Sequence, residues 1–343
     1  MPMQRVAGRW LAGLCLLAGV WPAVWAAAAD PPAAASVPTD ARGWLARMHA
    51  AASSRNYQGT MLFSANGVMS SSNVAHFCVG SQSYERIEAL DGKQRQVYRH
   101  NDLVHTVWPQ AGVVVIERRS LPSRLPSITQ SVDPRALEQY ELRAEGRDRV
   151  AGREARIFLL QPRDALRFAQ RVWADHETGL MLRSDVIGPE QVVLESARFT
   201  TIEIGVRAQP ESVLQPLRQL DGLRVLRPAQ VSTQLEAEGW ALARPVSGFQ
   251  LASCVKRPAT PEPMIAGKPA RAEVLQAVFS DGLTHVSLFI EPVDAARHRK
   301  PIRAQFGATH SLAGRKGDFW VTAMGDVPPG TLEQFVDALE RRP

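Results

Sequence analysis

The chain is short of cysteine and of catalytic signatures, and these two shortages narrow its chemistry first. Three cysteines in 343 residues exclude a small disulfide-stapled scaffold. The sequence has no GxSxG nucleophile elbow, no P-loop and no GxGxxG, so the common hydrolase and nucleotide-binding designs are absent. Eight histidines do not assemble a metal centre by spacing. His100 and His105 lie an odd number of residues apart across the Asn101-Asp102 turn, whereas ligands on one strand face need an even separation. His49 falls on a helix, and His76 stands in a strand beside Cys78, where a satisfied or exposed histidine is the simpler account. The carboxylates are scattered: Glu85 and Glu88 flank Arg86, and Asp91 belongs to a turn. With no positioned acid, base or nucleophile to name, neither catalysis nor a cofactor is expected.

One long apolar run is present, from Trp10 to about Val24, preceded by Arg5 and Arg9 and followed by Ala26-Ala27-Ala28-Ala29. This is the pattern of a secretory signal peptide over residues 1–29, an uncleaved anchor being the alternative. Leu14 before Cys15 argues against a lipoprotein. The mature protein is therefore expected to act outside the inner membrane. Formal charge is +6, and loss of Arg5 and Arg9 leaves about +4, a mildly basic surface open to an acidic or phosphate-bearing envelope partner but not expected to meet nucleic acid. Cys78 and Cys254 remain. They sit in apolar segments of separate predicted domains, so free buried thiols are the simpler expectation than a bond between them.

Residues 30–40, DPPAAASVPTD, form a tether with nothing to bury. Trp44, Leu45, Met48 and Ala52 then recur at helical spacing behind an Asp40 N-cap. From Tyr57 the period becomes two. YQGTMLFSA, SNVAHFCVG, SYERIEAL, RQVYRH, LVHTVW and GVVVIERR read as an antiparallel meander with turns at Asn66-Gly67, Asp91-Gly92, Asn101-Asp102 and Ala111-Gly112. Asp91-Gly92 is the strongest candidate for type I′. LPSRLPSITQ interrupts, Asp133-Pro134 opens a short helix, and YELRAEG, ARIFLLQP, QRVWAD, LMLRSDVI and VVLESARFTTIEI continue the strands. The fold expected is mainly β (α+β), a large antiparallel sheet over 41–204 with helices across it. Residues 205–238, with Pro210, Pro216 and Pro228, read as a connection. Residues 239–343 form a smaller β-rich domain with a hairpin at Asp281-Gly282 and a final helix capped by Thr331 and Gln334.

YQGT, YERIEALDG with RQVYR, RVAGREARIFLLQPRD and VWADHETGLMLRSDVI resemble, in order and spacing, the RseB/MucB family of periplasmic sigma-E regulators. GFQL, FSDGLTHVSLFIEP and VTAMGDVPPGT extend the resemblance through the small domain. It implies a LolA/LolB-like half-open antiparallel barrel with covering helices, followed by a smaller β-rich domain. It also implies a partner, the periplasmic part of a single-span anti-sigma factor of the RseA/MucA type, which is shielded from the site-one protease. Lipopolysaccharide or a related envelope amphiphile would release it. A periplasmic lipid or lipoprotein carrier is the alternative function, and homo-oligomerisation stays open.

Within that frame Phe63, Tyr84, Val97, Tyr98, Val107, Phe158, Trp173 and Leu182 are expected to line the inside or rim of the concavity, where apolar ligands bind. Arg86, Arg95, Arg99 and Arg118 are candidates for lipid phosphates. Phe279, Leu283, Val286, Leu288 and Phe289 are candidates for the anti-sigma contact.

Overall fold

A computed structural model describes residues 40–118, 134–258 and 273–342. The signal peptide, nearly all of the tether and the SLPSRLPSITQ interruption lie outside these described residues.

Asp40 accepts the Gly43 N–H at 2.5 Å and starts helix α1 (Ala41–Ser54), satisfying one of the donors that a helix N-terminus leaves unpaired. The strands of the large unit are β1 (Tyr57–Ala65), β2 (Val68–Val79), β3 (Gln82–Ala89), β4 (Gln96–His100), β5 (Leu103–Trp108) and β6 (Val113–Arg118). A 3-10 turn over Pro134–Glu138 leads into β7 (Tyr140–Val150), β8 (Arg153–Pro162), β9 (Ala169–Asp175), β10 (Met181–Ile187) and β11 (Val193–Ile204). Helix α2 (Glu211–Arg218) and strand β12 (Arg224–Leu226) follow.

These strands make one sheet in the order β12-β6-β5-β4-β3-β2-β1-β11-β10-β9-β8-β7, antiparallel except for β12 beside β6. It is open, with β12 and β7 at its two ends. The sheet bends around α1. Val97 and Val104 from one half, and Phe158 and Val172 from the other, share a core with Trp44, Leu45 and Met48 of that helix. The opposite face of the first half carries a second core of Phe77, Tyr98, Val107 and Val114 beneath Val213 of α2. An antiparallel sheet normally leaves one face to water, but here both faces of the meander are covered.

Two local expectations change. Among the four turns expected in the meander, Asn66-Gly67 is the one with positive φ at both central residues. Asp91 instead uses its carboxylate to accept the N–H and hydroxyl of Ser71 at 2.6 and 2.5 Å, tying the β3–β4 connection to β2. Residues 205–226, part of the expected interdomain connection, pack against the large sheet through α2 and β12, because Val206, Leu217 and Val225 are apolar and complete the second core.

The small unit comprises β13 (Val231–Ser232), β14 (Trp240–Leu242), β15 (Gln250–Pro258), β16 (Glu273–Ser280), β17 (His285–Pro292), β18 (Ile302–Phe306), β19 (Thr309–Lys316) and β20 (Phe319–Gly325). Helix α3 (Pro329–Ala338) and β21 (Leu339–Arg341) close it. Seven of these strands form a sheet in the order β13-β15-β16-β17-β20-β19-β18, and β14 pairs with β21. Leu275, Ala277, Phe279, Val286, Leu288 and Ile290 alternate inward against Leu332 and Phe335 of α3. The protein is thus mainly β, with two sheets and a few covering helices. Helix α3 begins earlier than expected, at Pro329, and Thr331 does not cap it. Its hydroxyl donates to the Leu166 carbonyl of the large unit at 2.9 Å.

Candidate functional site

The two units meet around one buried ion cluster. The Arg167 side chain, from the loop between β8 and β9, is 0% exposed, as is that of Asp281 at the tip of the β16–β17 hairpin. Arg167 Nε donates to Asp281 Oδ2 at 2.6 Å, and Tyr140 Oη donates to the same oxygen at 3.3 Å. Arg167 also pairs with Asp164, donates from Nη2 to the Ser247 carbonyl at 2.6 Å, and lies 4.7 Å over the Phe249 ring. Asp281 Oδ1 accepts the N–H groups of Leu283 and Thr284 at 2.9 and 2.8 Å, so one carboxylate both closes the turn and receives the arginine. Burial works against the Arg167 charge, but hydrogen bonds to Asp164 and Asp281 outweigh it and raise its pKa. Burial, then Asp281, pushes the Tyr140 hydroxyl well above its ordinary value.

Beside this cluster the two units enclose a cleft of about 510 Å³. The large unit supplies Gln161, Pro162, Ala165, Phe168, Pro189, Gln191 and Leu194; the small unit supplies Gln305, His310, Pro328 and Pro329. Its polar groups are mostly side-chain amides. Among the described residues the one lining arginine, Arg167, is occupied by its buried partners. Such a surface offers donors and acceptors matched to a peptide backbone, set among apolar and proline walls, and offers a phosphate no uncommitted arginine.

The eight residues expected in one concavity are divided. Phe63, Val97 and Phe158 face α1, with Phe63 half-buried and the other two sealed in the core. Tyr84, Tyr98 and Val107 are on the opposite face, beneath α2, with Tyr84 stacked on His100 at 4.7 Å. Trp173 and Leu182 pack with Val150 and Ala155 in a separate cluster. The period of two places residues on alternate faces, and both faces here are covered, so apolar character alone does not distinguish an open concavity from a sealed core.

The four arginines have contacts of their own. Arg99 pairs with Glu85 at 3.7 Å and donates to the Asn101 carbonyl. Arg118 pairs with Asp102 at 2.6 Å, and Arg86 lies 3.9 Å from Glu88. The exposed Arg95 accepts the Ala89 N–H at its carbonyl. A phosphate would compete with carboxylates at three of these positions.

Most of the residues expected to meet the anti-sigma factor are covered within the protein. Phe279, Val286 and Leu288 are sealed in the small core by the inward alternation of β16 and β17. Leu283 packs against the core of the large unit. Leu283 and Phe289 are partly open, Phe289 on the other face with Arg257 5.4 Å above its ring. The cleft residues were missed because they come from loops and strand ends with no shared periodicity. Asp281 was read only as a turn residue.

His76 has a specific environment. Its ring stacks on Tyr57 at 5.3 Å, with Nδ1 3.3 Å from Glu85 and Nε2 3.2 Å from Cys78 Sγ. Burial disfavours the Glu85 charge, but His76 and Arg99 outweigh it and hold the carboxyl below its ordinary range. Both Cys78 and Cys254 are free thiols.

Comparison with known proteins agrees along most of the chain. Residues 40–217 match the MucB/RseB N-terminal domain, and residues 234–340 match the MucB/RseB C-terminal domain. The sequence is 30% identical over 312 residues to the sigma factor AlgU regulatory protein MucB of Pseudomonas aeruginosa, covering 89% of this chain and 91% of that protein. It is 25% identical over 305 residues to the sigma-E factor regulatory protein RseB of Haemophilus influenzae, covering 87% and 90%. A chain of the solved Pseudomonas aeruginosa MucA/MucB complex superposes with a TM-score of 0.66 at 26% identity, covering 89% of this chain and 99% of that one.

Proposed function

The chain belongs to the MucB/RseB family, and from that premise we propose that it is a non-enzymatic periplasmic regulator of a sigma-E type envelope-stress response. In this reading it binds the periplasmic part of a MucA- or RseA-type anti-sigma factor, and the interdomain cleft receives an extended stretch of that partner. The observation that carries the second step is the cleft lining. Gln161, Gln191 and Gln305 stand among Pro162, Pro189, Pro328 and Pro329, while Arg167 is neutralised by Asp164 and Asp281. Amides and proline walls suit an uncharged extended backbone. A segment held there would have protein on both sides, which removes it from a protease and accounts for shielding from site-one cleavage.

Release by lipopolysaccharide or a related amphiphile belongs to the same reading. Phe63 is the natural probe of an apolar seat, being the least sealed of the candidates that face α1. Coupling between the two ligands of about 1–3 kcal/mol would change anti-sigma affinity by about five- to 150-fold, reciprocally.

Ala165 is exposed and lines the cleft, so Ala165→Trp fills it without entering the core. Titration with the purified periplasmic segment of the cognate anti-sigma factor is expected to show binding by the wild type and a loss of about tenfold or more in A165W. Unchanged affinity in A165W moves the contact away from the cleft. An absence of wild-type binding refutes the function itself.

A further inference from the structure

The seam between the two units contains a carboxylate that the fold places under a docked turn. Glu195 stands on β11 opposite Ala65 of β1 and Val186 of β10. The β18–β19 turn of the small unit closes over it. A Cβ added to Gly307 would lie 2.9 Å from Ala65 Cβ and 3.1 Å from Glu195 Oε2, and the Ala308 N–H donates to the Glu195 carboxylate. Ala308 is fully buried with Phe168 and Val186, so the turn is seated in the large unit.

The charged and titratable neighbours come from both units. Asp326, after β20, acts on Glu195 as a like charge and accepts the Thr309 hydroxyl at 2.5 Å. His310, next to the turn on β19, lies with its ring 5.8 Å from Phe168 and Nδ1 3.1 Å from the Ala308 carbonyl. Asp185 on β10 points to the opposite face, where Arg183 and Ser196 hold it.

We propose that Glu195 makes the docking of the small unit on the large one respond to pH near neutrality: protonated, it is a neutral group under the Gly307-Ala308 turn, and ionised, it faces the like charge of Asp326 and loosens that turn. The device is built into the fold and does not depend on the anti-sigma reading. Burial first, and then Asp326, pushes Glu195 up to about 7, with the Ala308 N–H opposing them. A carboxyl whose folded value is raised binds its proton more tightly when docked. The stabilisation is therefore complete below the ordinary carboxylate range and is lost as pH rises through about 7.

Amide hydrogen exchange of the turn in the full chain tests this, comparing wild type, Glu195→Gln and Asp326→Asn at each pH so that the intrinsic pH dependence of exchange cancels. At about pH 8.5 the wild-type Ala308 amide is expected to exchange about tenfold or more faster than in E195Q, and at about pH 4, below the ordinary carboxylate value, the two should agree within about twofold. D326N is expected to move the wild-type midpoint to lower pH, because one cause of the raised value is removed. A wild-type to E195Q ratio that is the same at both pH values overturns the proposal. Should E195Q fail to fold, an unmoved midpoint in D326N overturns it equally.

Discussion

Replacing Arg167 with methionine tests whether the two sheets form one cooperative unit through the buried ion cluster. Methionine keeps much of the arginine's length and apolar stem but removes three donations, to Asp281, Asp164 and the Ser247 carbonyl. It leaves Asp281 sealed from water with Tyr140 and its own turn amides as partners. Breaking a buried pair from one side costs about 3–5 kcal/mol, mostly the penalty of an uncompensated buried charge. The cation–π contact with Phe249 adds a smaller loss, about 1–2 kcal/mol when desolvated.

Asp281→Asn is the partner variant. Its amide oxygen can still accept from Leu283 and Thr284, so the turn survives while the charge goes. In the double variant the uncompensated charge is largely removed, and the cycle should return a coupling of about 2–3 kcal/mol. Urea unfolding of the three variants, followed by fluorescence and by far-UV circular dichroism, measures this. The R167M midpoint should fall and the two probes should separate, because undocked units no longer unfold together. A loss below about 1 kcal/mol with coincident probes would refute the view that this cluster couples the sheets.

Two further outcomes follow from local geometry. Gly248 has φ +77°, and a Cβ there would lie 2.4 Å from Arg167 Nη2 and from Gln139 Cδ; Gly248→Ala should cost about 2 kcal/mol or more in denaturant stability, combining left-handed strain with a displaced guanidinium. Burial first, then Glu238 and Glu236, pushes the Cys254 thiol up to about 11; labelling with a thiol reagent in the native protein should be slower at Cys254 than at the half-buried Cys78, and should speed up on unfolding as the thiol returns to its ordinary range.

Much of the fold was legible because local rules suffice for it. YQGTMLFSA and LVHTVW are strands at their expected limits, and Asp40 caps the helix that its side chain can reach. The bulk of the candidate site was not legible, since Gln161, Gln191 and Gln305 have no sequence relation to one another and meet only when β8, the β10–β11 connection and β18 are brought together. Thr331 shows the same limit on a smaller scale. Its position permits a cap, but its hydroxyl goes to Leu166 once the large unit lies beside it.

The sequence by itself determined the mainly β class, the order of most strands, the two-unit organisation and the family resemblance, because period-two alternation, turn residues and caps act over a few residues. Tertiary structure alone decided what each apolar face meets. It separated Tyr84, Tyr98 and Val107 from Phe63, Val97 and Phe158, sealed Phe279, Val286 and Leu288 in a core, and turned a hairpin aspartate into the partner of Arg167. Alternation gives a side chain its face, but exposure and electrostatic partners depend on which distant segment covers that face, and in this chain both faces of the meander are covered.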